Sequence, residues 1–170
     1  KPNYVRCDIG NYRQISRVFK EMGPFDYVYN CAAEFGRWNG EDYYESLWNT
    51  NAIGTKNIIR LQEKYNFKLI HISTDCVFSG KEGAYNEDSF KNGIGFYAQS
   101  KALGEVVNSR DLTFRTSIIG PELKPNGIGL FHWFMNQTNS IKGYTKAIWS
   151  GVTTIELAKA IKWSIDNEIT

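Results

Sequence analysis

A tyrosine and a lysine four residues apart, Tyr97 and Lys101, are the side chains in this sequence best suited to proton transfer. On a helix this spacing places both on one face. A nearby ammonium favours phenolate over phenol, so it should lower the pKa of Tyr97 from the usual value of about 10. Thr74, at the end of an apolar strand, could hold the same substrate oxygen by a hydrogen bond. Together the three side chains predict acid–base chemistry at a reducible carbonyl.

The elements around these side chains favour the chemical interpretation. An exposed helix can carry Tyr-x-x-x-Lys by accident, because both residues are common. Here the apolar strand 68–72 runs directly into Ser73, Thr74 and Asp75, and the tyrosine follows after a loop that contains Gly and Asn. That order resembles the extended short-chain dehydrogenase/reductase superfamily, in which the active-site Ser/Thr, Tyr and Lys follow one another along the chain in the same order.

Within that superfamily the chain is most similar to proteins of the dTDP-4-dehydrorhamnose reductase type. Those proteins carry a Ser-Thr-Asp-x-Val-Phe-x-Gly strand end, as residues 73–80 do here. Three further segments match the superfamily pattern, so the resemblance covers nearly the whole chain: Asp8-Ile9, Asn30-Cys31-Ala32-Ala33 and Asn51-Ala52-Ile53-Gly54-Thr55-Lys56-Asn57.

The resemblance implies a reduction in which a nicotinamide hydride goes to a carbonyl carbon and a proton goes to its oxygen. Tyr97 is then the general acid, Lys101 lowers its pKa and holds the nicotinamide ribose, and Thr74 orients the carbonyl oxygen. Asp75 either positions the sugar or caps a turn.

The resemblance also implies an NAD or NADP site. Besides Tyr97 and Lys101, its residues are expected at ten positions: Asp8, Ile9, Asn30, Cys31, Ala32, Ala33, Asn51, Ser73, Arg115 and Ser117. Three of them have a structural alternative. Asn51 could be a helix-packing residue, Ser73 a solvated turn serine and Arg115 an ion-pair partner.

The implied substrate is a nucleotide sugar, which Thr74 and Asp75 should face. Phe35 could stack on its base or sugar ring, although an aromatic residue is more often part of the core. The same two interpretations apply to three tryptophans: Trp38, Trp133 and Trp149.

Two loops depart from the superfamily pattern. Residues 92–96 lack its proline, Ala98 replaces its glycine, and the loop 36–40 is unlike that of rhamnose-pathway reductases. The identity of the sugar therefore stays open.

A glycine-rich pyrophosphate turn is missing from the sequence as given. The chain opens at Lys1 and contains no G-x-G-x-x-G turn after a strand, which is the motif that lets a backbone approach a pyrophosphate at a helix N-terminus. We therefore expect the chain to be a fragment that binds dinucleotide poorly on its own. The residue that separates NAD from NADP should lie upstream.

Helical and extended patterns alternate along the chain, which predicts an α/β fold with a Rossmann-like, doubly wound and mostly parallel sheet. Strands are expected at 26–30, 69–72 and 112–119. Helices are expected at three places in this part of the chain: from a capping box at Asn11-x-x-Gln14, over 42–65 and over 96–109.

Two regions are predicted. Residues 1–120 should belong to the NAD(P)-binding domain, and residues 121–170 should begin a substrate-binding region and return to the main domain. The second region should contain a helix at 130–135, an extended piece at 147–149 and a helix capped by Thr153-x-x-Glu156.

Composition limits the classes of function. The net charge is only +2 and 22% of the 170 residues are charged, without a basic stripe, so nucleic acid is not an expected partner. The apolar stretches fall short of the roughly 20 residues that a membrane span needs. Neither histidine spacing nor a C-x-x-C pair predicts a metal site. The odd, widely spaced cysteines are expected to be buried, reduced thiols of a cytoplasmic protein: Cys7, Cys31 and Cys76.

The favoured function is therefore an NAD(P)-dependent nucleotide-sugar oxidoreductase, most like a 4-keto-sugar reductase. Two alternatives stay open: an epimerase or dehydratase of the same fold, and a non-catalytic NADP-binding regulatory subunit, since the resemblance extends to regulatory partners of methionine adenosyltransferase. By analogy with the superfamily, we expect a homodimer formed through the helices 42–65 and 96–109.

Overall fold

The computed structural model describes residues 4–35, 41–123 and 127–170. The chain forms two compact units, Lys1–Arg115 together with Thr170, and Thr116–Ile169. The predicted functional division after residue 120 stays a prediction. The loop 36–40, with Trp38, lies outside the described residues.

A parallel three-stranded sheet forms the centre of the first unit. Its strands are β1 (Tyr27–Asn30), β2 (Lys68–Ile72) and β3 (Leu112–Phe114), in the order β1-β2-β3. Asn30 is level with His71, and Ile72 with Phe114, so the carboxyl ends of all three strands lie at one edge. The alternation of helices with parallel strands confirms the predicted α/β fold class.

The first helix, α1 (Tyr12–Met22), begins where the capping box predicts. The Asn11 side chain accepts hydrogen bonds from the backbone N–H groups of Arg13 and Gln14. The Gln14 side chain accepts from the N–H of Asp8 at 3.0 Å, so it ties the preceding turn to the helix. The buried face of α1 joins a core whose members come from helix, strand and loop: Ile15, Phe19, Ile58, Leu61, Phe67, Leu69 and Val106.

The helix predicted over 42–65 contains a wide turn that its sequence pattern does not reveal. It consists of α2 (Glu41–Leu47), a π-helical segment (Trp48–Gly54) and α3 (Thr55–Gln62). A π segment places one extra residue in a turn, and such segments are frequent at functional sites. Here the extra residue widens the helix at Asn51.

The Tyr97 helix, α4 (Phe96–Gly104), ends five residues before the predicted boundary at 109. Glu105 follows in an extended conformation, and its side chain enters a buried ion pair. Gly104 has no Cβ, and this allows the backbone of α4 to lie directly against the carbonyl oxygen of Asn51. Tertiary contacts therefore override helix propensity at this end.

The strand predicted over 112–119 is divided between two sheets. β3 ends at Phe114, and β4 (Ile118–Ile119) pairs in parallel with β5 (Val152–Thr153) in the second unit. That unit also contains α5 (Leu130–Met135) and α6 (Thr154–Asp166), which confirms both predicted helices. The Thr153 hydroxyl accepts from the N–H of Glu156, as its capping motif predicts. The segment 147–149 forms no strand.

Among the described residues, no helix is both long and apolar enough to cross a membrane.

Candidate active site

Thr74, Tyr97 and Lys101 meet at the carboxyl end of β2. Lys101 is 2% exposed, and its ammonium donates a hydrogen bond of 2.7 Å to the carbonyl of Ile72, the last residue of the strand. Tyr97 lies one turn earlier on α4 and is close enough to Thr74 for the threonine side chain to act to lower the pKa of the phenol. The structure thus brings the three predicted catalytic residues together from two elements.

The direction of the Tyr97 pKa shift differs from the sequence prediction. Burial raises the pKa of Tyr97, and the Thr74 side chain only partly opposes this. Lys101 is not among the groups that shift the tyrosine, so the expected lowering by its charge is wrong for this structure. Desolvation lowers the pKa of Lys101 to about 8, against the opposing charges of Glu105 and Cys31. At neutral pH the site therefore holds a neutral phenol beside a mostly protonated lysine.

Asp75 begins a short 3-10 turn, Asp75–Val77, that Thr74 caps. The Thr74 hydroxyl accepts from the N–H of Cys76 at 3.2 Å and is 3.3 Å from the Asp75 carboxylate. The cap is thus the threonine and not the aspartate, and the half-buried carboxylate lies beside the catalytic hydroxyl.

A mainly aromatic cleft of about 460 Å³ opens beside Tyr97. Tyr44 and Phe96 contact each other across it, with ring centroids 4.1 Å apart, and Phe78 forms another part of the wall. Gly95 precedes α4 with φ of 93°, a conformation in which glycine avoids the strain of a Cβ. This glycine turn stands where the superfamily pattern has its proline-containing loop, and it places Phe96 in the cleft.

Asn51 connects the π segment to two other parts of the site. Its amide accepts from the N–H of Glu34 at 2.8 Å and donates to the carbonyl of the same residue at 2.9 Å. It also donates to the Ser100 hydroxyl at 3.0 Å. Asn51 is 1% exposed. Its contacts are those of the helix-packing alternative, and a contact with the cofactor stays a prediction. It fixes both the segment after β1 and the helix that carries Tyr97.

The predicted cofactor segments are held by the same helix. Asn57 donates to the carbonyls of Ile9 and Gly10 at 2.9 and 3.0 Å. The Asp8 carboxylate accepts from the N–H of Gly10 at 2.8 Å and closes this turn. The motif that the sequence singled out at 51–57 therefore positions the Asp8-Ile9 turn.

A buried polar cluster stands at the end of β1. The Asn30 amide donates to the Thr55 hydroxyl at 3.0 Å and lies 3.1 Å from Nδ1 of His71. Asn30 Oδ1 also accepts from the N–H of Ala32 at 3.3 Å, which bends the chain after the strand. Cys31, Ala32 and Ala33 follow with exposed side chains. Their backbone is thus accessible beside the catalytic edge. Thr55 and His71 are cluster members that the sequence reasoning did not name individually.

Ser73 and Arg115 meet at the buried carboxylate of Glu105, a residue that the sequence reasoning missed. The Ser73 hydroxyl donates to the carboxylate at 2.6 Å, so the solvated-turn interpretation of this serine is wrong. Arg115 binds both carboxylate oxygens through Nε at 2.9 and 3.1 Å. These are the contacts of the ion-pair alternative, and a contact of Arg115 with nicotinamide stays a prediction. One signal was available in the sequence, because Glu105 continues the four-residue series of Tyr97 and Lys101.

The remaining candidates are distributed as follows. Ser117 belongs to the second unit. Phe35, Trp133 and Trp149 are 55%, 48% and 51% exposed, so the expectation that they are core residues is wrong.

The cysteines also differ from expectation. Cys31 and Cys76 are exposed and Cys7 is half-buried, so their predicted burial is wrong, and all three are free thiols. The described residues contain no cluster of three or more potential metal-ligating side chains.

A family profile and several known proteins match this chain. The profile described as RmlD substrate binding domain matches residues 2–142. Among curated proteins, methionine adenosyltransferase 2 subunit beta of Danio rerio is 30% identical over 62% of this chain and 32% of its own length. The matched stretches cover 40% or less of the curated relatives, including the dTDP-4-dehydrorhamnose reductases of Aggregatibacter actinomycetemcomitans and Mycolicibacterium smegmatis.

Two solved structures share the fold. A dTDP-4-dehydrorhamnose reductase from Clostridium acetobutylicum is 27% identical, with a TM-score of 0.80 over 94% of this chain and 58% of its own. A second reductase of the same name, from Bacillus anthracis and in complex with NADP, is 30% identical, with a TM-score of 0.58 over 66% of this chain and 42% of its own.

Proposed function

The chain belongs to the RmlD substrate-binding domain family, and from this premise we propose that the intact protein is an NAD(P)-dependent oxidoreductase that reduces the keto group of a nucleotide 4-keto sugar, such as dTDP-4-dehydrorhamnose. The observation that carries the proposal is the meeting of Thr74, Tyr97 and Lys101 at one strand end. The name of the reductase relatives and the NADP in the Bacillus anthracis structure support it.

The proton in this reduction comes from Tyr97. Because burial raises its pKa, the phenol keeps its proton at neutral pH and can donate it to the carbonyl oxygen. The hydroxyl of Thr74 directs the same oxygen and stabilises the charge that develops there. Asp75 lies beside Thr74, and in this proposal its carboxylate binds a sugar hydroxyl.

The residues around the site suit a nicotinamide dinucleotide. Such a cofactor supplies the hydride when bound. The Lys101 ammonium has three N–H donors and uses one for Ile72, so it can bind ribose hydroxyls. The accessible backbone of residues 31–33 and the Asp8-Ile9 turn provide further contacts to the cofactor. The aromatic cleft beside Tyr97 is the proposed place of the nucleotide sugar.

The test uses the intact protein, NADPH or NADH, and a panel of nucleotide 4-keto sugars. We expect oxidation of the cofactor, in equal amount to the sugar reduced, with one member of the panel. Tyr97→Phe should lower kcat by about a hundredfold or more and leave cofactor affinity within about twofold. Tyr12→Phe, which removes a phenol from α1, is the matched control and should turn over normally.

A second candidate function is that of a non-catalytic, NADP-binding regulatory subunit. The similarity to methionine adenosyltransferase 2 subunit beta favours it. In that case the intact protein binds cofactor without oxidising it, and Tyr97→Phe leaves its biological activity unchanged. Bound cofactor that is reduced and reoxidised within one turnover indicates instead an epimerase or dehydratase.

The homodimer is also a proposal. Ile53, Leu103 and Val107 are 44%, 52% and 80% exposed. Ile53 lies on the π segment and Leu103 on α4, whereas Val107 follows the end of α4 within the range 96–109 that was expected to form the interface. Sedimentation of the intact protein should give a dimer, and Leu103→Glu with Val107→Glu should give a monomer. A monomer in the unaltered protein contradicts the proposal.

A further inference from the structure

The carboxylate of Glu105 is a buried charge next to the catalytic strand end. Its side chain is 0% exposed. Arg115 contacts it through Nε and through a second nitrogen at 3.0 Å, and the Lys91 ammonium lies at 3.1 Å. Together with the Ser73 hydroxyl, these donors satisfy a charge that burial alone would make very costly.

These contacts join three elements at one point. Glu105 follows the last residue of α4, Ser73 follows the last residue of β2, and Arg115 follows the last residue of β3. The N–H of Ser73 also donates to the carbonyl of Phe114 at 2.7 Å, so both ends of this serine are held. Thr74 is the next residue along the chain. The orientation of the Thr74 side chain therefore depends on how rigidly Ser73 is fixed.

Glu105 is four residues beyond Lys101, and its charge acts on the lysine. Glu105 raises the pKa of Lys101, and Cys31 does so to a smaller extent, while burial lowers it to about 8. The charges of Lys101 and Glu105 also act on the buried imidazole of His71. Removing the Glu105 charge leaves Arg115 and Lys91 without their carboxylate.

We propose that Glu105 is a positioning residue, which orients Thr74 through the Ser73 hydroxyl and whose negative charge stabilises the Lys101 ammonium. This inference rests on the proposed oxidoreductase function, since Thr74 and Lys101 act in that reaction. Glu105 itself contacts neither substrate nor cofactor in the proposal. Its two cations, Arg115 and Lys91, and the Ser73 hydroxyl are therefore expected to matter for rate more than for binding.

The test compares Glu105→Gln and Ser73→Ala in the intact protein. For Glu105→Gln we expect kcat to fall about tenfold or more with KM within about twofold, because the misdirected Thr74 affects the transition state. The high-pH limb of the kcat/KM profile should move to lower pH. For Ser73→Ala we expect a similar loss of kcat without a shift of the pH profile. Thr113→Val, which removes from β3 a hydroxyl that donates to the carbonyl of Val106, is the matched control.

A readout that needs no turnover separates this inference from the proposed function. The Lys101 side chain can be titrated by ¹³C NMR of its Cε, with the signal assigned by its loss in Lys101→Met. Glu105→Gln should lower the Lys101 pKa by about half a pH unit or more, and Ser73→Ala should leave it unchanged. If no sugar oxidises cofactor in the unaltered protein, the proposed function fails, while this titration still tests the charge of Glu105.

The inference is overturned by an unchanged Lys101 titration in Glu105→Gln, or by unchanged kcat in Ser73→Ala. Should Glu105→Gln fail to fold, Ser73→Ala decides the outcome, because it leaves the ion pairs intact. Equal losses in Ser73→Ala and Thr113→Val also overturn it, since they indicate a general loss of strand packing.

Discussion

The buried imidazole of His71 should make the protein lose stability as the pH falls below 7. His71 is fully buried, and its Nδ1 accepts the hydrogen bond from the Asn30 amide, which places the proton of the neutral ring on Nε2. Nε2 has no hydrogen-bond partner among the described residues. Burial first, and then the charge of Lys101, lower the pKa of His71 to about 4, with Glu105 opposing.

The size of the effect follows from the two protonation equilibria. In the unfolded chain the imidazole titrates near its ordinary value of 6.5, whereas in the folded chain it titrates at about 4. The unfolded state thus binds a proton first as the pH falls. The stability gained from the neutral ring is fully present above 6.5 and is lost towards pH 4. Over the whole range the free energy of unfolding falls by about 3 kcal/mol, of which about 2 kcal/mol is lost between pH 7 and pH 5.

The perturbation that isolates this ring is His71→Gln, which keeps an acceptor for Asn30 but does not titrate. Urea unfolding of the intact protein and the variant, followed by tryptophan fluorescence from pH 5 to 7.5, gives the free energy of unfolding at each pH. The unaltered protein should lose about 2 kcal/mol more than His71→Gln between pH 7 and 5. His132→Gln, which replaces a partly exposed histidine, should behave as the unaltered protein. Parallel curves for the protein and His71→Gln refute the reasoning.

Three further outcomes are expected. Asn51→Ala, which loses the bonds to Glu34 and Ser100, should lower the free energy of unfolding by about 2 to 3 kcal/mol and weaken cofactor binding, as measured by urea unfolding and fluorescence titration. Gly104→Ala should cost about 1 to 3 kcal/mol by forcing α4 away from the Asn51 carbonyl, whereas Gly143→Ala, at an open position, should leave the thermal midpoint unchanged. Cofactor affinity should decline as the pH rises through about 8, where Lys101 loses its charge. Lys101→Met should abolish this pH dependence. An equal decline of affinity with pH in the variant contradicts a role for the ammonium.

The elements that the sequence predicted best are those whose signals are local. The cap at Asn11, the apolar strand that ends at Ile72 and the cap at Thr153 each depend on residues within a few positions of one another. The order of these elements predicted which strand end carries Thr74 and which helix carries Tyr97.

The features that the sequence did not predict depend on distant partners. The wide turn around Asn51 has bonds to Glu34, 17 positions away, and no periodic pattern records that contact. The helix end at Gly104 depends on Glu105, whose ion-pair partner Arg115 belongs to the next strand region. A glutamate in a helical pattern is normally assigned to the surface, so its burial was visible only once its partners were located.

The direction of the Tyr97 pKa was missed for a related reason. Sequence spacing shows that Lys101 is on the same helix face, but it does not show that the phenol is enclosed or that the ammonium is directed at Ile72. Burial raises the pKa of Tyr97, and the ammonium that the spacing indicated is not among the groups that shift it.

The open sheet edge at β1 affects the solubility of this chain when it is prepared by itself. Among the described residues β1 pairs on one side only, with β2, and its Tyr27 and Tyr29 are 37% and 50% exposed. An open edge with aromatic side chains is a template for strand addition between molecules, which leads to aggregation in concentrated samples. Tyr29→Lys, which places a charge on that edge, should keep such samples clear for longer.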